Sequence, residues 1–159
     1  MKRVIALLME NQPGALSRVV GLFSQRGYNI ETLIVAPTSD PTLSRLTMTT
    51  EGDERVVQQI TKQLDKLIDV VMVSDLGESD FIERELMLMK MNKNSITSDE
   101  IENIEGKVVF EDSEIINLQF VGEPDKLDKI VKDLDKKEPL EIVRSGSSGI
   151  SSNSKTLTI

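Results

Sequence analysis

Glu10-Asn11-Gln12-Pro13-Gly14-Ala15-Leu16 stands between an apolar run, Val4 to Leu8, and an amphipathic helical pattern, Leu16 to Arg26. The run is aliphatic and β-branched, which predicts a buried central strand. Leu16, Val19, Val20 and Phe23 recur at helical spacing, Leu22 widens the stripe, and Gly27 stops the helix at the usual C-terminal position. The seven residues are therefore a strand-to-helix turn, with Pro-Gly at the helix N-terminus. The first amides of a helix have no intrahelical acceptor, and the helix dipole makes that end positive, so it favours a carboxylate or a phosphate. Pro13 restricts the loop and Gly14 lets a ligand approach bare backbone. Asn11 both donates and accepts, which suits a ligand carrying an ammonium beside a carboxylate. The same residue types also make an ordinary turn, so the rest of the chain has to decide between the two readings.

Beyond Gly27, Tyr28 to Ala36 is β-rich and ends at Pro37, and Asp40-Pro41 makes a turn. Leu43 to Glu51 is a second β-rich run, with Leu46 and Met48 alternating against Arg45, Thr47 and Thr49. Gly52-Asp53 turns into a second amphipathic helix carrying Val56, Val57, Ile60, Leu64, Leu67 and Ile68, and Val70 to Leu76 closes as a strand. The order β-α-β-β-α-β is the ferredoxin-like split unit.

The pattern then partly repeats, offset by about 70 residues, with Gly52 aligned to Gly122. Leu86 to Met91 opens the second unit, with Met87, Met89 and Met91 (like Met72 before them) as packing residues. Ser98 to Ile104 is a short helix with Ser98 as N-cap, Lys107 to Phe110 a strand, and Ile115 to Ser145 a strand, helix and strand. The Lys-Asp mixture from Lys126 to Lys137 is a solvated helix face. No Pro-Gly-Ala-Leu element recurs, so no second ligand site of this kind is expected. The fold class is α+β, two ferredoxin-like βαββαβ domains in tandem. The expected boundaries are a first domain over 1–76, a linker over 77–83, a second domain over 84–145, and a flexible Ser/Gly-rich tail over 146–159.

Composition removes several function classes. The 159 residues include 27 acidic and 19 basic side chains, a formal charge of −8. That argues against nucleic acid as a partner, because phosphate contacts need clustered Lys and Arg. Neither Cys nor His occurs. Disulfides, thiolate chemistry, a Ser-His-Asp triad and the commonest transition-metal ligand are thereby excluded. Composition leaves an oxygen-only magnesium or calcium site open, but no Asp-x-Asp-x-Asp-Gly loop is present and no metal site is expected. No apolar run approaches the ~20 residues of a membrane-spanning helix, so no membrane association is expected and the expected location is the cytoplasm.

Longer blocks carry a resemblance. Glu10 to Val19 is followed by Phe23-Ser24-Gln25-Arg26-Gly27-Tyr28-Asn29-Ile30, then Val35-Ala36-Pro37-Thr38 and Asp40-Pro41-Thr42-Leu43-Ser44-Arg45. Leu67-Ile68-Asp69-Val70, Glu83-Arg84-Glu85-Leu86 and Arg144-Ser145-Gly146 extend it. The sequence resembles the small, regulatory subunits of acetohydroxyacid synthase, also called acetolactate synthase, strongly over residues 1–90 and more weakly over 91–143. The resemblance implies that the first domain is an ACT domain, an amino-acid-sensing module that pairs side by side into a homodimer. It implies an effector at the pair interface, L-valine, with leucine and isoleucine as alternatives. It implies a chain with no active site and no cofactor of its own. Such a chain binds the catalytic large subunit, which carries thiamine diphosphate, Mg and FAD, raises its activity and confers feedback inhibition in branched-chain amino acid biosynthesis.

Carried over position by position, the resemblance implies an effector site of Asn11, the backbone of Gly14, Ala15 and Leu16, and Asn29 with Ile30 from the partner chain. Leu16 and Ile30 would wall a branched aliphatic side chain. One methylene is worth only ~1–3 kcal/mol in such a pocket, so the three branched amino acids are poorly separated. Arg18, in the first helical turn, reads as solvent-facing. Two rivals remain at this level: a free-standing ACT-type sensor acting on another enzyme, and an enzyme in its own right. The lack of His, Cys and a Gly-rich phosphate motif stands against the second.

Overall fold

The computed structural model describes residues 1–159 except Ser79, Lys155 and Ile159, and the backbone only of Glu78. Ser79 of the expected linker and Lys155 and Ile159 of the expected tail thus lie outside the described residues. The chain forms two compact units, one of Met1–Ile82 together with Ser147–Ile159, the other of Glu83–Gly146.

The first unit holds β1 (Lys2–Glu10), α1 (Ala15–Arg26), β2 (Thr32–Pro37), β3 (Leu43–Glu51), α2 (Glu54–Leu64) and β4 (Val70–Asp75). Its antiparallel sheet has the order β2-β3-β1-β4. Ile5, Leu7 and Met9 of β1 meet Val19 and Phe23 of α1 and Val57, Ile60 and Leu64 of α2 in one core. Val4 and Ala6 point to the opposite face, where they pack with Leu76, Phe81 and Leu157. Both faces of β1 are therefore covered, which is why Val4 to Met9 is an unbroken apolar run and not an alternation. The Asp53 carboxylate caps α2 by accepting from the Val56 N–H at 2.8 Å. The helix ends at Leu64, so the 3.6-residue period stops there. Ile68, expected on the buried face, is 89% exposed, whereas Leu67 still reaches the core from the turn.

The second unit holds β5 (Phe81–Asn92), α3 (Ser98–Asn103), β6 (Lys107–Glu111), β7 (Ile115–Gly122), α4 (Pro124–Leu134) and β8 (Glu141–Ser151), with Phe81, Ile82 and residues 147–151 belonging to the first unit. The sheet order β6-β7-β5-β8 repeats that of the first sheet. Met87, Met89 and Met91 line one face of β5 and pack with Leu118, Phe120, Leu127, Ile130 and Leu134. At the end of that face Glu85 is buried. The Arg144 guanidinium forks onto it (Nε to Oε1 3.0 Å, Nη2 to Oε2 2.6 Å) and also donates to Asp128 of α4. The Gly146 N–H donates to Glu85 at 3.1 Å. Arg144 is pushed up from its ordinary pKa chiefly by Glu85, which marks a pair held charged. Thr97, one residue before the expected Ser98, is the N-cap of α3. Its hydroxyl accepts from Glu100 N–H while the Glu100 carboxylate accepts from Thr97 N–H, a capping box.

The segment from 146 onward departs from the expected flexible tail. The strand β8 continues to Ser151, and from Ser147 the chain rejoins the first unit. Ser147 is buried, and a Cβ at Gly149 would stand 2.7 Å from Leu76 Cδ1. The Ser152 N–H and hydroxyl both donate to the Asp80 carbonyl, at 3.1 and 2.7 Å. Ser and Gly occur here because a covering strand close to other side chains has no room for larger ones.

Candidate functional site

Around the turn after β1 the backbone is held from two sides. The Asn11 N–H donates to the Thr42 carbonyl at 2.7 Å, and Asn11 Nδ2 donates to the Pro41 carbonyl at 2.9 Å. Those carbonyls are fixed by a turn in which Asp40 accepts from the Thr42 N–H and hydroxyl, contacts that also hold the Asp40 carboxyl below its usual pKa. With Nδ2 committed, Asn11 Oδ1 is left to accept from a ligand.

The N-terminus of α1 carries no side-chain cap, and its N-cap residue, Gly14, sits at φ 89°. That left-handed conformation favours glycine. The Ala15 N–H is spent on the Gln12 carbonyl at 3.2 Å, and the Arg18 N–H on the Gly14 carbonyl at 3.0 Å. The amides of Leu16 and Ser17 have no acceptor among the described residues. Of the expected trio, the Ala15 amide is thus spent within the turn, whereas those of Gly14 and Leu16 have no acceptor among the described residues. The Ala15 side chain is fully buried and forms the floor of the helix start.

A second clamp lies beside this end. The Arg18 guanidinium forks onto Asp69, with Nε bonded to Oδ2 and Nη2 at 2.9 Å from Oδ1. Gln12 Nε2 donates to the same Asp69 oxygen at 2.8 Å and to Glu10 at 2.6 Å. The Asp69 side chain is 3% exposed, and the Arg18 hydrogen bond is the main cause holding its carboxyl below the usual range. Arg18 is therefore a structural tie between α1 and the turn before β4, not a free surface cation. The missing Cβ of Gly14 makes room for it, because an added Cβ would sit 3.2 Å from Arg18 Nη1.

Asn11, Gly14 and Leu16 come together at a cavity of about 210 Å³, walled on its other side by Val35, Ala36 and Pro37 of β2. Asn29 and Ile30 do not reach it within the chain. Asn29 is exposed, with its carbonyl accepting from the Thr50 hydroxyl at 2.6 Å, and Ile30 packs against the core. The β2 wall, Ser17, and the Arg18–Asp69 tie escape a reading of local pattern. Their sign in the sequence is that Ser17-Arg18, Val35-Ala36-Pro37 and Leu67-Ile68-Asp69-Val70 belong to the blocks that carry the resemblance. A cavity lined by an uncapped helix start, an asparagine with an uncommitted amide oxygen and an apolar strand can hold a carboxylate, an ammonium and an aliphatic group. Among the described residues no group of three or more acidic side chains could hold a metal ion, and no helix is long and apolar enough to cross a membrane.

Residues 5–72 match the family described as the AHAS small subunit-like ACT domain, and residues 84–153 match the small subunit of acetolactate synthase. The chain is 47% identical over 162 aligned residues to the acetolactate synthase isozyme 3 small subunit of Salmonella typhimurium, covering 99% of each chain. It is 46% identical, at the same coverage, to that of Escherichia coli. The crystal structure of the acetolactate synthase small subunit from Thermotoga maritima superposes with a TM-score of 0.85 at 30% identity, covering 94% of this chain and 96% of that one. Two such matches in tandem, full-length identity and a shared structure across both units agree: the chain belongs to the family of regulatory small subunits of acetolactate synthase.

Proposed function

We propose that the cavity beside Asn11 is a feedback site for L-valine, with leucine and isoleucine as alternatives, and that it is completed by a second copy of the chain. The observation that carries the reading is the acceptor-less amide of Leu16, a residue that lines one cavity together with Gly14 and Asn11, whose Oδ1 is uncommitted. The ligand carboxylate lies on the amides, its ammonium on Asn11 Oδ1, and its branched side chain against Leu16 and Val35.

The strand β2 is an edge of its sheet, with Val35 39% exposed. Edge strands carry a row of unpaired backbone groups ready for another strand. A two-fold axis pairs the same edge with itself, and an antiparallel pair sets the start of one β2 against the end of the other. The partner's Asn29 and the partner's Ile30 then arrive beside Ala36 and Pro37, at the rim of the cavity. This accounts for a set of six site residues that one chain divides into two groups.

In this reading valine touches both chains and so selects between pairings of the dimer. It shifts them only by its differential affinity, typically ~1–3 kcal/mol of coupling. The dimer acts in the cytoplasm on the catalytic large subunit, which brings thiamine diphosphate, Mg and FAD, and this chain itself contributes no reacting group. Acetolactate formation by the large subunit is the assay, with and without this chain and across a valine titration. Activation by the chain and valine inhibition only in its presence are expected. Acetolactate formation by the chain in isolation, or activation of the large subunit with no response to any branched amino acid, overturns the reading.

A further inference from the structure

On the face of the first sheet away from the helices, Arg45 of β3 and Met72 of β4 flank Leu8 of β1 in register. The returning segment after Ser147 covers part of this face and leaves a second cavity of about 590 Å³ between itself and β4. Its walls mix Met72, Leu76, Ile150 and Leu157 with the Ser74 hydroxyl and the Arg45 guanidinium. It is lined by none of the residues of the cavity beside Asn11.

Arg45 is the unusual member. It is half-buried, and among the described residues its one acceptor is the Gly149 carbonyl, 2.9 Å from Nη2. Among the described residues no carboxylate pairs with it, and burial lowers its pKa. A guanidinium has five N–H donors in a planar fork, so most of its capacity points at no protein acceptor. A half-desolvated cation without an anion is costly unless something anionic meets it.

The one carboxylate in the lining among the described residues, Asp75, is already engaged. Its Oδ2 takes the Arg3 Nη2 at 2.5 Å and its Oδ1 takes the Gly77 N–H at 2.9 Å. An incoming ammonium would find no free carboxylate, so an α-amino acid fits badly. A phosphate dianion would overcompensate the single guanidinium beside Asp75. A monocarboxylate matches it in charge and in its two-oxygen geometry, and the Met72, Leu76, Ile150 and Leu157 walls suit an aliphatic tail.

We propose that this cavity is a second ligand site, for a small aliphatic monocarboxylate without an amino group, held by Arg45. The test is a titration of the full-length, isotope-labelled chain with sodium 3-methylbutanoate, followed through the backbone amides of Ser74, Gly149 and Ile150 and the Arg45 Nε–H signal. Inorganic phosphate and L-valine are titrated in parallel.

Saturable shifts at those four signals are expected, weakened about tenfold or more in Arg45→Gln, since a charge-assisted hydrogen bond is worth roughly 1.5–3 kcal/mol. Glutamine keeps a donor for the Gly149 carbonyl, and Arg45→Lys, which keeps the charge, loses less. Unchanged amide positions elsewhere in the spectra of both variants establish that they fold. Equal affinity in Arg45→Gln, shifts confined to Asn11–Ser17, no saturation in large excess of the acid, or tighter binding of phosphate each overturns the proposal. A valine response that disappears while the carboxylate response persists refutes the valine site and leaves this one standing.

Discussion

Substituting Gly14 by aspartate places a carboxylate where the proposed site receives one, and the structure sets the size of the effect. Two costs separate cleanly. The first is conformational: φ at Gly14 is 89°, a region that costs an ordinary L-residue about 1–2 kcal/mol, with Asp and Asn at the low end. That loss lowers the melting temperature by about 2–8 °C at the usual sensitivity for a chain of this size. The second is electrostatic: two carboxylates about 4 Å apart near a protein surface repel by about 4 kcal/mol, about a thousand-fold in affinity. Arg18 moderates it, because its Nη1 lies 3.2 Å from the position of the new Cβ. A cation at that range can offset about half of the repulsion, which leaves an expected loss of about thirty- to a thousand-fold. Gly14→Asn shares the strain and the bulk without the charge, so the ratio of its valine affinity to that of Gly14→Asp isolates the second cost. Calorimetric titration at low and high salt measures that ratio, which should narrow as salt screens the charge. If the two folded variants bind valine equally, the ligand carboxylate does not sit at the start of α1, and the argument from free amides fails.

Asp69→Asn tests the tie to Arg18. The folded-state pKa of Asp69 is depressed, so its contribution is present above the unfolded value of about 3.9 and is lost as pH falls through the folded one. The urea midpoint of the variant should lie below that of the parent at neutral pH and converge with it as the pH falls through the folded-state value; a gap that stays constant with pH refutes the tie. Glu100 titrates at about 2, lowered first by Lys137 and then by Thr97. Lys137→Met should move its carboxyl midpoint, read by NMR, up toward the ordinary value of about 4.3, and no movement would assign the shift to the capping box. Gly149→Ala puts a methyl 2.7 Å from Leu76 Cδ1. Overpacking of this kind costs about 1–3 kcal/mol, so the first unit should melt earlier, with partial recovery in the double variant carrying Leu76→Ala; an unchanged melting curve means that the covering strand can yield.

Local periodicity carried most of the fold. The β3 limits, Leu43–Glu51, coincide with the β-rich run, and the offset repeat anticipated two sheets with the same strand order. Patterns are legible where a segment has one buried face. The last strand has no such alternation, since its Ser and Gly are chosen by the closeness of Leu76, Val4 and Thr47, residues remote in sequence. The same limit applies to the site. Asn11, Gly14 and Leu16 are near neighbours in the chain and were legible together, but Arg18 and Asp69 are 51 positions apart and meet only once the unit has folded. Ser98 and Thr97 are both good caps by residue type, and the Glu three residues after Thr97, at 100, decides for Thr97.

The first unit is discontinuous along the chain. Val4 and Ala6 are synthesised before the second unit, yet Leu157, which packs over them, emerges only after every residue of that unit. Throughout synthesis the sheet therefore waits with an apolar face uncovered, a template for mispairing with other nascent chains. Pairings between residues so distant in sequence are also the slow ones to close. The order of translation and the order of completion run against each other here, so the yield of native protein should depend on how quickly the segment after Ser147 follows the second unit and on chaperones that occupy the bare face in the interval.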